Sequence, residues 1–567
     1  MCGILGLYSM EGRDLPGELV LKGLDAMKER GTPHGSGVAL YRPVEVPRIK
    51  AFSERPPEEG LAVQLPGGLY DVTFFGVPAE VEGTVYLNSR WLDVYKVVGW
   101  PWDLDSIYNV RSLSSSAWLG HTRYPTNSPG RYPYYSHPFT AGDFAIVHNG
   151  DLSSYGSNVN LLTYKMGYRG FTGNDSEAIA FLLKELSERL GIESAIRELM
   201  YGEEFRWARL DGPYAVVFIA GGPTPIFGAF VDPQHFRPLY VGMSGDVVAV
   251  ASEAAAIAAI LEDAKYWALR GGEYIIVEGD EVRGNFRRRY FYPQYLPSPP
   301  SRAVDASRFG PVDLAPYLRK LLEDGGEVDV VNVRGHRYIG NGMVRGTLRL
   351  WGVVGNASAN VMSGGVIHVY GDVQDDFGDA MNAGTVFIHG NAGDTLGQAK
   401  RGGSIYVYGD AGNRAGIQHR GGALVIGGSV GDYAGEYMGG GIMVILRLRD
   451  DDVGFRIGSG MVGGRIYVRG RVPRERIGRV MRREALERYL RSLLEDGALD
   501  VAGYERALAG EPRPPWGGAG GGPPGGQPRQ REGRGREGEG AGEGPPPPRA
   551  VGGGVGGGGG GGEGGTE

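Results

Sequence analysis

One cysteine stands in 567 residues, and it is the second. That scarcity excludes an internal disulfide, a zinc site built on thiolates, and an iron–sulfur cluster held by this chain alone. No stretch of about 18 uninterrupted apolar residues occurs, so no membrane-spanning helix is expected. The amino terminus lacks the charged region and long apolar core of a signal peptide. Positive charge is not in excess either: 59 Lys and Arg against 66 Asp and Glu give a formal net charge of -7. A nucleic-acid binder needs a concentrated basic surface, and this balance argues against one. The absences together point to a cytoplasmic protein, and a hydrophobic content of 41% is enough for roughly two to four domains with real cores.

Glycine is what the chain has in abundance, 100 of 567 residues. From Glu511 onward it joins proline, arginine and glutamate in a low-complexity tail, residues 511–567. Such a segment cannot bury enough apolar surface to offset its ordering entropy, so disorder is expected there. Most other glycines obey a period of 19. Gly346, Gly365, Gly384, Gly403, Gly422 and Gly441 recur at that spacing, with Gly352, Gly371, Gly390, Gly409 and Gly428 six residues after the first five. Between them lie short apolar pairs, such as Leu348 and Leu350, Ile367 and Val369, and Val386 and Ile388. Alternation puts each pair on one face, so stacked coils make continuous apolar ladders inside a solenoid, with glycines at the corners. A third glycine set, Gly378, Gly397, Gly416 and Gly435, suggests a second short strand and turn per coil. A dinucleotide-binding loop needs a strand and a helix within a ~30-residue unit, which a 19-residue coil cannot house. His368, His389 and His419 recur at loose spacing on positions read as exposed, and suggest no metal site.

The first 280 residues differ in kind. Pro16 to Arg30 reads as an amphipathic helix with Val20, Leu21, Leu24 and Met27 on one face. Met1 followed by a small residue is a usual substrate for removal of the initiator, which would leave the Cys2 thiol beside a free α-amine. With reference pKa values of about 8.5 and 7.7–8.0, the pair is a nucleophile with its own base; the other reading of Cys2 is a small apolar residue on a buried first strand. Arg123, in Gly120-His121-Thr122-Arg123-Tyr124-Pro125-Thr126, is either surface decoration or a two-pronged clamp for a carboxylate. Asn149-Gly150, within His148-Asn149-Gly150-Asp151, reads by itself as a hairpin turn. Asn174 and Glu177 suggest a capping box ahead of a helix from Ala178 to Leu190. Asp175 then serves either the helix dipole or a bound ammonium group.

Taken in order, the Cys-Gly-Ile start, Arg30-Gly31 before His34-Gly35-Ser36-Gly37, His-Thr-Arg-Tyr-Pro-Thr, His-Asn-Gly-Asp and Asn-Asp-Ser-Glu resemble the class II glutamine amidotransferases of the N-terminal nucleophile (Ntn) superfamily. Asp211-Gly212-Pro213-Tyr214-Ala215, Arg237-Pro238-Leu239 and Ala251-Ser252-Glu253 resemble that family's later strands. The glycine solenoid resembles the GXGXG β-helix at the C-terminal end of the glutamate synthase large chain, a domain found also in formylmethanofuran dehydrogenase. The resemblance implies an α+β fold: an αββα Ntn-hydrolase sandwich followed by a right-handed β-helix with 19-residue coils and a disordered Gly/Pro-rich tail. It also implies roles. Cys2 would attack the side-chain amide of glutamine, with Asn149 and the Gly150 N–H as the oxyanion hole. Arg123, with Thr126 nearby, would bind the substrate's α-carboxylate, Asp175 its α-ammonium, and Arg30 would orient the nucleophile.

The expected domains are a glutaminase at 2–280, a linker with a short helix at 281–327, the β-helix at 328–470, a helical cap or docking segment at 471–510, and the tail. The flavin and iron–sulfur barrel that the glutamate synthase large chain carries between its two ends has no room in this linker, since such a barrel needs about 250 residues. The resemblance therefore implies the glutaminase component of a split glutamate synthase, with no cofactor or metal of its own. FMN and an iron–sulfur cluster would sit on a separate flavoprotein subunit that receives the ammonia. Methylamine-linked glutamate synthesis or another acceptor, and a non-catalytic scaffold with a relic fold, remain as alternatives.

Overall fold

The computed structural model describes residues 2–472 except 77, 79–80, 127–128, 170, 262–263, 289–295, 450–452 and 471, together with residues 488 and 491. The segment read as a cap or docking helix lies almost wholly outside the described residues, and the Gly/Pro-rich tail entirely so.

The opening residues form a strand, Gly3–Ser9, that is apolar on both faces because it is covered twice. Ile4 and Tyr8 face a second sheet, whereas Leu5 and Leu7 face a helix. Between Ile4 and Tyr8 stands Gly6, where a Cβ would lie 2.6 Å from the Phe227 ring and 2.7 Å from Val217. No side chain fits there, and the two sheets close on each other over that glycine.

This strand is central in a seven-stranded antiparallel sheet, in the order Lys265–Ala268, Tyr240–Ser244, Val247–Ala251, Gly3–Ser9, Ala117–Thr122, Ser36–Tyr41, Leu92–Val97. A six-stranded antiparallel sheet, in the order Phe139–Ala141, Phe144–Gly150, Tyr214–Ala220, Ile226–Val231, Tyr274–Glu278, Glu281–Gly284, packs on it. Ile4, Leu119, Val147, Val217, Phe227, Val250 and Ile275 share the core between them. The outer side of the first sheet is covered by the helices Gly17–Ala26 and Ala254–Ile260 through Val20, Leu21, Leu24 and Ile257. The helices Asp175–Leu190 and Ile192–Tyr201 cover the second through Ile179, Leu182, Leu183, Ile196 and Leu199. The layer order is αββα. The helix read over Pro16 to Arg30 ends at Ala26 and tightens into a 3-10 turn at Lys28–Arg30.

The glycine-periodic region is a β-solenoid. Nine strands pair in parallel from Val304–Asp305 to Gly463–Val468, and Leu348, Ile367, Val386, Ile405, Leu424, Met443 and Ile466 stand in register. The sheet thus begins inside the segment read as a linker, whose helix is Leu314–Leu321. A second row of bridges runs through Val354, Val373, Ala392, Ala411 and Val430, which is the second short strand per coil that the third glycine set suggested.

Glycine does not make every corner. Ala357, Asp376, Thr395, Arg414 and Tyr433 take left-handed backbone angles, φ 55–61°, once per coil, and Val361, Ala380, Ala399, Gln418 and Tyr437 do so at a second corner. Side chains disfavour that conformation by roughly 1–2 kcal/mol. The stack holds it because each such N–H donates to a carbonyl of the next coil, as in Asp376 to Asp394 at 3.0 Å and Thr395 to Asn413 at 2.8 Å. Side chains repeat the device. Asn356, Asp375, Asp394 and Asn413 each accept from the backbone N–H 19 residues ahead, at 2.7–3.2 Å.

The histidines read as exposed are not. His368 and His389 are partly buried in rows of stacked rings, His368 on Phe387 at 4.8 Å and His389 on Tyr408 at 4.8 Å. His419 is fully buried, next in a row of Met362, Met381 and Lys400 that ends on Met438. Lys400 Nζ donates to Gly403 O at 2.6 Å and Gly421 O at 3.1 Å, and burial pulls its pKa down to about 7.

Burial, with Asp394 beside it, pushes Asp375 up to about 7. A carboxyl raised in the folded state holds a proton that the unfolded chain has released, so its contribution is most favourable near pH 4 and is lost as pH climbs to about 7. Asn413 shows that an amide fits this row. Asp375→Asn should therefore leave the melting temperature at pH 4 near the parent's and raise it at pH 8, a gain in stability on the order of 1 kcal/mol or more. Calorimetry at the two pH values checks this; an equal shift at both counts against it.

Candidate functional site

Strand register brings the sequence's scattered motifs to one end of the sandwich. Gly3 pairs with Thr122, so Cys2 and Arg123 leave the ends of neighbouring strands side by side. The Tyr124 N–H donates to Cys2 Sγ at 3.3 Å, and Arg30 Nε donates to the Cys2 carbonyl at 3.1 Å. Burial pushes the Cys2 thiol up, while the Tyr124 N–H and the positive charges of Arg123 and Arg30 pull it down. Arg123 is 3% exposed. Its Nη1 donates to Pro129 O at 3.1 Å, and its carbonyl accepts from the Thr32 N–H and Oγ1 at 2.8 and 3.0 Å.

The other motifs join through short links. Thr126 Oγ1 donates to Asp151 Oδ1 at 2.7 Å, and the Leu152 N–H donates to Asp175 Oδ2 at 2.8 Å. Asp151 and Leu152 follow Asn149-Gly150 directly. His121 Nε2 lies 3.3 Å from the His148 carbonyl and bridges the two sheets one residue from Asn149. Cys2, Arg30, Arg123, Thr126, Asn149, Gly150 and Asp175 are therefore tied into one region by a handful of contacts, none between residues close in sequence.

Asn149-Gly150 is not a hairpin turn. The strand Phe144–Gly150 runs through both residues, paired with Tyr214–Ala220 as far as Gly150 opposite Tyr214. Asn149 is 1% exposed and its Nδ2 has no hydrogen-bond partner among the described residues. An unmet buried donor costs about 1–3 kcal/mol. The capping box is half present. Asn174 Oδ1 accepts from the Ser176 N–H at 3.0 Å, but the Glu177 carboxylate accepts from Thr172 instead, at 2.7 and 2.8 Å. The helix starts at Asp175, one turn earlier than read, which buries that carboxylate at the helix's first position.

Sequence reasoning gave no role to two further groups. His121 and His137 stack with ring centres 3.9 Å apart, and Ser176 Oγ lies 2.8 Å from His137 Nε2 and 2.9 Å from His148 Nδ1. Burial holds His121 and His137 well below the usual imidazole range, so this layer behind the site is uncharged at neutral pH. The second is Glu253, 2% exposed, whose Oε1 accepts from Arg30 Nη1 at 3.1 Å. Both lay within quoted motifs, Gly120-His121 and Ser252-Glu253, but pairing across strands is not visible in one chain's order.

Gly150 leaves no space for a side chain: a Cβ would stand 1.9 Å from Pro213 O and 2.9 Å from His148 Nε2. Gly150→Ala should lower stability by about 1–3 kcal/mol, read as a lower melting temperature. A variant that melts with the parent would mean that the strand end can shift.

A family model described as the GXGXG motif matches residues 330–487. An uncharacterized protein of Archaeoglobus fulgidus is 24% identical over 351 residues, 48% of this chain and 91% of that protein. The glutamine amidotransferase-like protein GlxB of Rhizobium meliloti is 28% identical over 301 residues, 47% of this chain and 95% of its own. A glutamine–fructose-6-phosphate aminotransferase (isomerizing) of Sulfurisphaera tokodaii is 28% identical over 178 residues, 30% of this chain and 27% of the relative. The chain thus joins an αββα sandwich to a β-solenoid that matches the GXGXG motif, and along part of its length it is similar to glutamine amidotransferase-like proteins.

Proposed function

We propose that this chain is the glutaminase component of a split glutamate synthase, hydrolysing glutamine to glutamate and ammonia and passing the ammonia to a separate flavoprotein subunit. One observation supports the glutaminase reading: strand register and short hydrogen bonds link a half-buried thiol, a buried arginine, a buried carboxylate and a buried amide donor that has no partner among the described residues. These are the groups that an N-terminal nucleophile acting on a zwitterionic amide requires.

After loss of Met1, the Cys2 α-amine takes the thiol proton and the sulfur attacks the side-chain carbonyl carbon of glutamine. Negative charge gathers on the carbonyl oxygen, where Asn149 Nδ2 and the Gly150 N–H donate to it, each worth about 3–4 kcal/mol in such sites. The C–N bond breaks, the amine's proton goes to the leaving ammonia, and a thioester remains. Water adds to the thioester with the amine as base, and glutamate leaves as the thiol is restored. Arg123 binds the α-carboxylate and Asp175 the α-ammonium. Thr126, bonded to Asp151, fixes the loop that carries Arg123.

Cys2→Ala should abolish ammonia release without unfolding the chain, and intact mass of the active protein should lack Met1. Arg123→Lys should raise KM although the charge is kept, because an ammonium cannot copy the two-pronged guanidinium. Asp175→Asn should raise KM as well; a lower melting temperature with unchanged kinetics would reduce Asp175 to a helix-end residue. Full activity in Cys2→Ala would overturn the mechanism.

The synthase assignment is supported by the GXGXG domain, by a single cysteine and by the short segment between the two domains. FMN and an iron–sulfur cluster belong, on this reading, to the partner. The purified chain should be colourless and make no glutamate from 2-oxoglutarate and ammonia, whereas the complex should couple the two reactions. Flavin absorbance on a copurified partner checks it; a partner that carries no flavin would turn the reading towards another acceptor.

A further inference from the structure

Glu253 joins the two domains close to Cys2. Its carboxylate accepts from Arg30 Nη1 at 3.1 Å on the amidotransferase-like side. On the solenoid side it accepts from Arg337 Nη2 at 2.9 Å, Gln374 Nε2 at 3.3 Å and Asn356 Nδ2 at 3.4 Å. Those three donors come from successive coils. Arg30 in turn donates through Nε to the Cys2 carbonyl, so one guanidinium and one carboxylate separate the solenoid from the backbone of Cys2. The neighbouring residue strengthens the path, since Ser252 Oγ accepts from the Ile4 N–H at 3.1 Å and the Ser252 N–H donates to Ile4 O at 3.0 Å. Residues 252 and 253 thus hold residues 2 and 4 at once.

The surroundings are shaped for this contact. Gly335 takes φ +77° where a Cβ would stand 2.4 Å from Ala255 Cβ, so the solenoid's first coil lies directly on the helix that starts after Glu253. Val353 packs with Ala254 and Ala255. At the far side of the same interface Asn413 Nδ2 lies 2.7 Å from His235 Nδ1. The titratable groups that face Glu253 are Arg30 and Tyr240 from the sandwich and Arg337 and Asp375 from the solenoid.

We infer that the solenoid is a positioning element for the nucleophile: Arg337, Gln374 and Asn356 hold Glu253, which holds Arg30 against the Cys2 carbonyl and so sets where the thiol stands. This rests on Cys2 being the nucleophile. It gives the GXGXG domain a part in the chemistry of the other domain. It also gives any partner seated on the first three coils a route to the thiol that needs no contact with the substrate.

The test uses the full chain with Met1 removed and two readouts, steady-state glutamine hydrolysis and the pH profile of Cys2 alkylation by iodoacetamide. Gln374→Leu removes one donor without removing a charge; it should lower kcat threefold or more with KM within twofold of the parent, and displace the alkylation midpoint. Arg337→Met should lower kcat tenfold or more, with Arg337→Lys recovering part of it. A solenoid substitution far from Glu253, Arg465→Gln, should leave both readouts unchanged. Gln374→Leu protein that melts with the parent and keeps its kcat and alkylation profile overturns the inference, whatever becomes of Arg337→Met. Because alkylation reads the thiol directly, the profile decides the point even if the parent proves not to hydrolyse glutamine, so the two readings fail separately.

Discussion

A buried carboxylate is costly to keep charged unless donors surround it, and Glu253 has four within 3.4 Å. Two are guanidinium groups, so the cluster holds two positive charges against one negative, almost fully out of water. Removing one partner from such an arrangement typically costs about 3–5 kcal/mol, because the charge left behind stays buried. That asymmetry makes the cluster a constraint more than a source of stability. Neither domain satisfies Glu253 alone: without the solenoid it keeps Arg30, and without the sandwich the solenoid's Arg337 faces an empty interface. The joint therefore belongs to the assembled chain, and the Cys2 end of the first strand belongs to the joint.

The sandwich supplies the other half of the positioning. Gly6 lets the sheets close at the Phe227 ring, which fixes how deeply the two sheets interlock beneath the strand ends that carry Cys2 and Asn149. The neutral layer of His121, His137, His148 and Ser176 then fills the space behind them with hydrogen-bonding groups that add no charge. An uncharged backing leaves the buried charges nearby to Arg123 and Asp175. Were these histidines protonated, their charges would crowd Arg123.

Much of this was legible before the fold was known, and part of what was not has a common cause. Periodicity is a local property, so the 19-residue coils, their apolar ladders and the helix after Pro16 could be read from spacing. The ordered motifs carried the residues that short contacts link, since most of them lie at strand or helix ends that the sequence marks with glycine, proline or asparagine. The misreadings of Asn149-Gly150 and of His419 concern partners distant in sequence. Asn149-Gly150 looks like a turn because turn chemistry and a strand end use the same residues, and only pairing with Tyr214 decides between them. His419 looks exposed because its position in the row of Met362, Met381 and Met438 becomes visible only once coils are aligned. The Asn and Asp side-chain ladder was available at the same period as the glycines, at 356, 375, 394 and 413, and was masked by reading glycine as the sole maker of corners.

The solenoid's own construction explains why it can serve as a positioning element. Its corners are held in left-handed angles by hydrogen bonds from one coil to the next, and its Asn/Asp side chains repeat those bonds in parallel. A coil cannot shift without breaking both sets, so neighbouring coils move together or not at all. Arg337, Asn356 and Gln374 stand on three such coils and present one rigid, triple-donor face to Glu253. A flexible loop could offer the same donors, but it would lose part of the contact energy in ordering itself. A stacked solenoid has met that cost along its whole length, so it presents these donors to Glu253 without further ordering.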